Sequence, residues 1–246
     1  MGPTLPKEKK TRELGFPERD SWLVFGAPKV GKTTFAAQWP ECLILDLEDG
    51  TRYVEGAYVL RVTSLGELRE AYAMLRAANP FPYKTVAIDT LDVLNDWIEQ
   101  EVCRELGIMQ MGEKAYGLDW GLARNRVLET MKAFHQLPAN ILWIAHSRWA
   151  VVGEVELGHT LNLPGKLARF VMAAVDNILF LTVRDGQRVI KFRPYQGLEC
   201  GSRHPVLDRA GECPASYEAL QALFALDQTG QNRIKLDKTG QNKELL

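Results

Sequence analysis

The sequence predicts an α/β domain built on a mostly parallel, doubly wound sheet, and three observations support this fold class. Short apolar runs with the length of buried strands alternate with segments whose apolar residues recur at helical spacing. Polar or acidic residues follow several of these runs, at the strand end where an open α/β sheet binds its ligand. The dipeptide Asp185-Gly186 joins two later runs and predicts a β-hairpin over residues 175–193.

The composition and the two ends of the chain set the expected domain organisation. The 246 residues are 46% hydrophobic and 25% charged, as in an ordinary globular protein, and one domain is expected over residues 21–226. Residues 1–20 are rich in Pro, Lys and Glu and are expected to form a flexible lead-in. Residues 227–246 are polar, repeat Thr-Gly-Gln-Asn, and are expected to be disordered.

The charge, the cysteines and the lengths of the apolar runs narrow the functional classes. A formal net charge of -1 means that any contact with nucleic acid must come from a local basic patch. The four cysteines form no C-x-x-C pair, which predicts neither a disulfide framework nor a zinc site and suits a cytoplasmic protein. No stretch approaches the roughly 18 apolar residues that cross a bilayer, so we expect no contact with a membrane.

The first predicted strand and helix enclose a phosphate-binding pattern. Residues 21–25 predict a short buried strand, residues 26–33 fit G-x-x-x-x-G-K-[ST], and a helix follows until Trp39-Pro40 ends it. Glycines let the backbone N–H groups of such a loop surround phosphate oxygens. Lys32 is expected to reach the β- and γ-phosphates of a nucleoside triphosphate, and the Thr33 hydroxyl to bind Mg²⁺. The predicted nucleotide-binding residues are Gly26, Ala27, Pro28, Lys29, Val30, Gly31, Lys32, Thr33 and Thr34.

A second apolar run, residues 42–47, predicts another buried strand and ends among three acids. Asp46, Glu48 and Asp49 precede a glycine. At the carboxyl end of a parallel strand these acids would project toward the nucleotide. Acids before a glycine also form ordinary polar turns, and the position alone leaves both interpretations open.

Residues 84–89 predict a further buried strand with an acid at its carboxyl end. This is the arrangement of the second nucleotide-binding motif, in which Asp89 would hold Mg²⁺ through water. The alternative is that Asp89 only caps the following helix. Thr90 could either cap that helix or sense the γ-phosphate.

The helices are predicted from apolar spacing and from their end signals. Ser64-Leu-Gly-Glu67 matches a capping box, and the helix that it begins ends near Ala78, before Asn79-Pro80. Residues 90–106 carry apolar side chains at helical spacing and predict an amphipathic helix. Further helices are predicted around residues 127–137, 165–174 and 214–226.

Two segments are candidates for contact with single-stranded nucleic acid, which needs basic and aromatic side chains together. The first is the irregular, glycine-rich segment 107–121, which contains Lys114 and Tyr116. Loops of this kind are often functional. The alternative is that the tyrosine is a core or lid residue.

The second segment follows a buried strand predicted at residues 141–145. His146 lies at the exit of that strand, and the predicted loop 147–164 begins with Arg148 and Trp149 close behind it. Here too the alternative is that the tryptophan belongs to the core. A lone histidine at a strand end is also an ordinary structural donor.

Three classes of nucleotide-binding protein contain a phosphate loop of this kind. A GTPase would carry D-x-x-G and N-K-x-D motifs, but Asp89 is followed by Thr-Leu-Asp and N-K-x-D does not occur. A small-molecule kinase would carry an arginine-rich lid, whereas residues 184–193 predict a regular hairpin. A hydrolytic ATPase with a glutamate at a strand end fits best, with ATP and Mg²⁺ as its ligands.

From about residue 20 to residue 205 the order of these parts resembles the core of RecA-type recombinases. The resemblance implies that Asp46-Leu-Glu48 is that family's D-x-E motif, in which the glutamate polarises the attacking water. It implies that Asp89-Thr90 ends the magnesium-binding strand, and that His146 senses the γ-phosphate where RecA has glutamine. The expected catalytic residues are Glu48, Lys32 and His146.

The short chain is similar to the RecA-like ATP-binding proteins of bacteriophages, some of which act as single-strand annealing proteins. The resemblance implies ATP hydrolysis and action on single-stranded DNA in recombination, annealing or repair, in the cytoplasm of a phage-infected or prophage-bearing bacterium. It implies a ring or filament of identical subunits, with a single-strand DNA-binding protein as a further partner. The alternative is an accessory replication ATPase that loads or remodels a protein partner without contacting DNA.

RecA-like ATPases complete their active site with a basic residue from the neighbouring subunit. On the predicted hairpin, Lys191 and Arg193 are two residues apart and so share one face of their strand. They are the candidates for this contribution, ahead of Arg203. The alternative is that they are ordinary solvated charges.

Overall fold

The computed structural model describes residues 15–152, 155–195 and 197–228. The strands are β1 (Ser21–Gly26), β2 (Cys42–Asp46), β3 (Tyr58–Arg61), β4 (Thr85–Asp89), β5 (Asn140–Val152), β6 (Val155–Leu161), β7 (Asn177–Arg184), β8 (Gln187–Lys191), β9 (Gly201–Ser202) and β10 (Glu212–Pro214). The helices are α1 (Lys32–Ala37), α2 (Leu65–Ala77), α3 (Leu91–Leu106), α4 (Leu118–Phe134), α5 (Leu167–Ala173), α6 (Pro205–Ala210) and α7 (Tyr217–Gln228). Within these residues the strands form one sheet in the order β10-β8-β7-β1-β5-β4-β2-β3, with β6 paired to β5 and β9 to β7.

The strands from β7 to β3 along this order are all parallel to their neighbours. β1 lies between β5 and β7 and is buried along its whole length, as its apolar sequence predicts. Parallel strands bring their carboxyl ends to the same edge of a sheet, so the residues that follow β1, β2 and β4 lie near one another and near His146 of β5, which is paired with Gly26. The predicted mostly parallel α/β sheet is confirmed.

Helices cover both faces of this sheet. Leu23 and Phe25 of β1 belong to a hydrophobic cluster with α2, α3 and α4, whereas Trp22 and Val24 belong to a second cluster with α1, α6 and α7. Because successive residues of a strand point to opposite faces, one apolar strand contributes to both clusters. The sheet is therefore covered by helices on both sides, as predicted.

The capping box predicts the start of α2 correctly. The Ser64 hydroxyl accepts a hydrogen bond from the backbone N–H of Glu67 at 3.2 Å. The Glu67 carboxylate accepts in turn from the backbone N–H of Thr63 at 2.6 Å, one residue earlier than in a standard capping box. α3 spans Leu91–Leu106 and corresponds to the amphipathic helix predicted at residues 90–106.

Two segments that were predicted as loops contain regular structure. Residues 118–121 form the first turn of α4, so the irregular segment predicted at 107–121 ends at Gly117. The loop predicted at 147–164 is largely an antiparallel hairpin of β5 and β6. The prediction ended β5 at Ala145 because polar residues follow, but pairing with β6 satisfies their backbone groups and keeps them in the strand.

β7 and β8 form an antiparallel hairpin in which Arg184 pairs with Gln187 across the turn at Asp185-Gly186. β8 pairs on its other side with β10, also antiparallel. The hairpin therefore extends the parallel sheet beyond β7 and is not a free-standing arm.

The structure describes only part of the predicted N-terminal lead-in and only part of the predicted C-terminal tail. Residues 15–20 of the predicted lead-in pack against the domain, where the Phe16 ring stacks on Trp22 with the centroids 5.8 Å apart. Residues 1–14 and the Thr-Gly-Gln-Asn repeat of the predicted tail lie outside the described residues. None of the helices described above is both long enough and apolar enough to cross a membrane.

Candidate active site

The phosphate loop joins β1 to α1, and its geometry requires both of its glycines. A Cβ on Gly26 would lie 2.3 Å from the backbone oxygen of Leu181 in β7. Gly31 has a φ of 106°, which strains any residue with a side chain. Residues 27–29 between them are exposed, so the outer side of the loop is open to a ligand.

Lys32 folds back across the loop that precedes it. Its Nζ donates hydrogen bonds to the backbone oxygens of Gly26 at 3.1 Å and of Ala27 at 2.9 Å. Burial lowers the pKa of the ammonium group, while the nearby carboxylate of Asp89 opposes this effect. The ammonium group thus lies at the phosphate loop with carbonyl partners that phosphate oxygens could replace.

Thr33 and Asp89 meet at the edge of the sheet. The Thr33 hydroxyl donates a hydrogen bond of 2.6 Å to Asp89 Oδ2. Asp89 is 4% exposed, and burial raises the pKa of its carboxyl to about 6 against the opposing effect of the Thr33 hydrogen bond. A hydroxyl and a carboxylate are the kind of oxygen ligands that Mg²⁺ prefers. The pair predicted to bind the metal is adjacent, and its chemistry fits the ion.

Asp46 organises the turn after β2. Its buried carboxylate accepts hydrogen bonds of 3.2 Å from the backbone N–H groups of Glu48, Gly50 and Thr51. The Thr51 hydroxyl donates a further bond of 2.6 Å. Of the two interpretations of the acids after this strand, the polar turn is therefore correct for Asp46.

Glu48 is oriented differently and faces the end of β4. Its Oε1 accepts a hydrogen bond of 2.6 Å from the Thr90 hydroxyl and lies 3.7 Å from His146 Nδ1. Thr90 directly follows Asp89, so this bond links the glutamate to the strand end that is predicted to bind Mg²⁺. The structure thus brings the three predicted catalytic residues and the Thr33–Asp89 pair to one edge of the sheet.

Asp92 connects His146 to the segment after β6, and nothing in the sequence pattern singled it out. Its Oδ2 accepts a hydrogen bond from the His146 backbone N–H at 2.9 Å and lies 3.6 Å from His146 Nδ1. This contact raises the pKa of the imidazole. Its Oδ1 accepts a bond of 3.2 Å from the Asn162 amide. An acid three residues after Asp89 is not distinctive, because acids are common in the first turn of any helix.

Arg188 of β8 is a second site residue that the sequence did not reveal. Its Nε donates a hydrogen bond of 2.9 Å to the backbone oxygen of Val30. The side chain also covers Gly31, because a Cβ on that glycine would lie 2.9 Å from the same Nε. A cation of the hairpin therefore lies against the phosphate loop of its own chain.

Of the two cations predicted to act on a neighbouring subunit, Lys191 is the last residue of β8. Arg193 lies beyond that strand, so the two do not share a strand face as predicted. Lys191 is paired in the sheet with Phe180 of β7 and Glu212 of β10. Arg193 donates a hydrogen bond to the backbone oxygen of Asp208 in α6, and its Nε lies 3.8 Å from that residue's carboxylate. Their action on a neighbouring subunit stays a prediction.

The predicted DNA-binding residues differ in exposure. Tyr116 is fully exposed, and Lys114 is half-buried. Arg148 donates hydrogen bonds of 3.2 Å to the backbone oxygens of Leu161 and Leu163, so part of its guanidinium holds the return strand. These hydrogen bonds leave fewer N–H groups of Arg148 to bind a phosphate.

Trp149 lies on β5, opposite His159 of β6. The two ring centroids are 4.1 Å apart, and the tryptophan is 54% exposed. The imidazole therefore supports an indole that still presents much of its surface to solvent.

Comparison with known families agrees with this geometry. A family model of an AAA domain matches residues 19–204, which begin just before β1 and end after β9. The matched part includes the phosphate loop, Glu48, Asp89 and His146. No curated protein matches the chain. The chain therefore belongs to the AAA domain family, and it is a P-loop ATPase-type domain.

Proposed function

We propose that this protein binds and hydrolyses ATP and couples the reaction to single-stranded DNA, in recombination, annealing or repair of the kind attributed above to short phage RecA-like proteins. The observation that carries the proposal is Glu48, held by Thr90 at the same sheet edge as Lys32 and the Thr33–Asp89 pair. A carboxylate in this position can orient a water toward the phosphate that is transferred.

The phosphate loop and Lys32 would hold the triphosphate. Backbone N–H groups of the open loop would surround the phosphate oxygens. Lys32 would exchange its two carbonyl partners for phosphate oxygens, and its charge would stabilise the negative charge that develops during transfer. Magnesium bound by Thr33 and Asp89 would supply further electrostatic stabilisation of the phosphate oxygens.

Glu48 would act on the water. The Thr90 hydroxyl fixes one carboxylate oxygen, Oε1, and leaves Oε2 to accept a hydrogen bond from water. A water held in this way would lose a proton to Glu48 as it attacks the γ-phosphate, and ADP would leave. The nearby imidazole of His146 would respond to the loss of the γ-phosphate.

Arg188→Ala is expected to weaken ATP binding by about tenfold, because the variant loses a cation that lies against the phosphate loop. Titration with a fluorescent ATP analogue measures the affinity. Arg184→Ala is the matched control, since Arg184 lies on the same hairpin and pairs with Glu212 at 2.5 Å. Equal affinities of the two variants would contradict a nucleotide-binding role of Arg188.

A physical connection supports coupling between the nucleotide and DNA. Asp92 contacts both the backbone of His146 and the side chain of Asn162, which directly follows β6. A change in the position of the imidazole would therefore be transmitted through Asp92 to the β5–β6 hairpin, which contains Trp149. This supports the proposed role of His146 as the sensor of the γ-phosphate.

The protein is expected to bind a labelled single-stranded oligonucleotide in the presence of ATP, with an affinity that falls as salt rises. The reason is that basic side chains which neutralise phosphates release counterions. Fluorescence anisotropy measures the binding, and Trp149→Ala is expected to weaken it by about tenfold through lost stacking. Tyr58→Ala, which removes an exposed aromatic ring on β3, is the control. An affinity that does not change with salt would contradict a groove that follows the phosphate backbone.

A further inference from the structure

A cavity outside the nucleotide site lies between α3, α4 and the turn that precedes α5. Its volume is about 290 Å³, near the lower end of the roughly 300–1,000 Å³ of small-molecule sites. Gly117 and Trp120 line it together with Pro164 and Lys166, so it lies where the two candidate DNA-binding segments meet. We call it the α3–α4 cavity. Its size suits one nucleobase.

Two polar side chains of α3, those of Asn95 and Glu99, line the α3–α4 cavity. Asn95 is 3% exposed, and its Nδ2 donates a hydrogen bond of 2.7 Å to Glu99 Oε1. Asn95 Oδ1 is buried and has no hydrogen-bond partner in the part of the chain that the structure describes. A buried amide oxygen without a donor is unfavourable, and a ligand with N–H groups would relieve this. Burial also raises the pKa of the Glu99 carboxyl.

The same cavity combines an aromatic side chain with two cations. Trp120 is 39% exposed, which leaves part of its ring available for stacking. Arg124 and Lys166 also line the cavity, and the Arg124 guanidinium lies 4.9 Å from the centre of the Phe170 ring. An aromatic ring beside basic side chains is the combination with which proteins bind the bases and phosphates of single strands.

We propose that the α3–α4 cavity holds one unstacked base of a bound DNA single strand and prefers a base with an exocyclic amino group. The base stacks on Trp120, and its amino group donates to Asn95 Oδ1 and to Glu99. Arg124 and Lys166 contact the phosphates on either side. The inference rests on the proposed function, because a DNA strand must first reach both segments.

Cytosine and thymine provide the sharpest test, since they are similar in size and differ at one edge group. Cytosine carries an amino donor where thymine carries a carbonyl acceptor. The thymine carbonyl would face two further acceptors in the cavity. The protein is therefore expected to bind a deoxycytidine homopolymer about tenfold more tightly than a thymidine homopolymer of equal length, measured by fluorescence anisotropy.

Variants of the cavity separate base selection from general DNA binding. Asn95→Leu and Glu99→Gln are expected to remove the preference for deoxycytidine while both homopolymers still bind. Trp120→Ala is expected to weaken binding of both by about tenfold. Tyr53→Ala is the control, because Tyr53 is 91% exposed and does not line the cavity, and neither affinity should change.

The outcomes distinguish this inference from the function on which it rests. Equal affinity of the unmodified protein for the two homopolymers would overturn the inference and leave the proposed function standing. A preference that persists in both Asn95→Leu and Glu99→Gln would also overturn it. Binding to neither homopolymer would overturn the proposed function, and the inference with it.

Discussion

Glu48→Gln is expected to reduce ATP turnover by about a hundredfold or more while ATP still binds. The glutamine keeps the size of the side chain and can still accept a hydrogen bond from Thr90. It lacks the charge that orients and activates a water, so the loss should fall on the chemical step. Phosphate release measures turnover, and titration with a fluorescent ATP analogue measures binding.

Asp49→Asn is the matched control for this variant, because Asp49 is an exposed acid of the same turn and pairs with Arg61. It should hydrolyse ATP at close to the normal rate. If Glu48→Gln did so too, Glu48 would be only a turn residue. The hydrolytic mechanism proposed here would then lack its central residue.

Lys32→Met is expected to lower kcat/KM for ATP by about a hundredfold or more, because it removes the charge at the phosphate loop. Methionine fills a similar buried volume, which keeps the packing around a side chain that is 5% exposed. Steady-state kinetics with ATP measure the effect, and thermal unfolding followed by circular dichroism checks that the variant is folded.

Lys29→Asn provides the matched control for charge, since the Lys29 side chain is exposed in the same loop and only its backbone N–H is expected to contact phosphate. Its φ is 62°, a conformation that asparagine tolerates. The control is expected to retain most of its activity. A similar loss in both variants would show that the total charge of the loop matters and not the position of Lys32.

The positions of the phosphate loop and of Asp89 at the sheet edge depend on local sequence. The spacing of Gly26, Gly31 and Lys32 specifies a phosphate loop wherever a strand precedes it and a helix follows. Asp89 ends an apolar run, and the carboxyl end of a parallel strand always reaches the ligand edge. These relations require no knowledge of distant residues, and the structure agrees with them.

The different contacts of Asp46 and Glu48 could not be predicted, because they depend on how the backbone turns after β2. One acid folds inward to accept three backbone N–H groups, and the other reaches Thr90, which is 42 residues away. Arg188 and Asp92 were missed for a related reason. Their contacts with Val30 and Asn162 exist only once strands and helices distant in sequence have packed together.

The β5–β6 hairpin could not be predicted from the pattern of hydrophobic residues. Residues 146–148, directly after Ala145, are polar, which locally indicates a loop. They remain in a strand because a partner strand pairs with them beyond the edge of the main sheet. The candidate DNA-binding surface is therefore more regular than its composition suggests, with Trp149 supported by His159 across the hairpin.

The most direct test of coupling is the rate of ATP hydrolysis measured with and without a single-stranded oligonucleotide. We expect the oligonucleotide to raise the rate, because His146, Asp92 and Asn162 connect the nucleotide site to the β5–β6 hairpin. A rate that stays unchanged at saturating oligonucleotide would contradict this coupling, and a rise with a protein partner alone would identify an accessory replication ATPase instead.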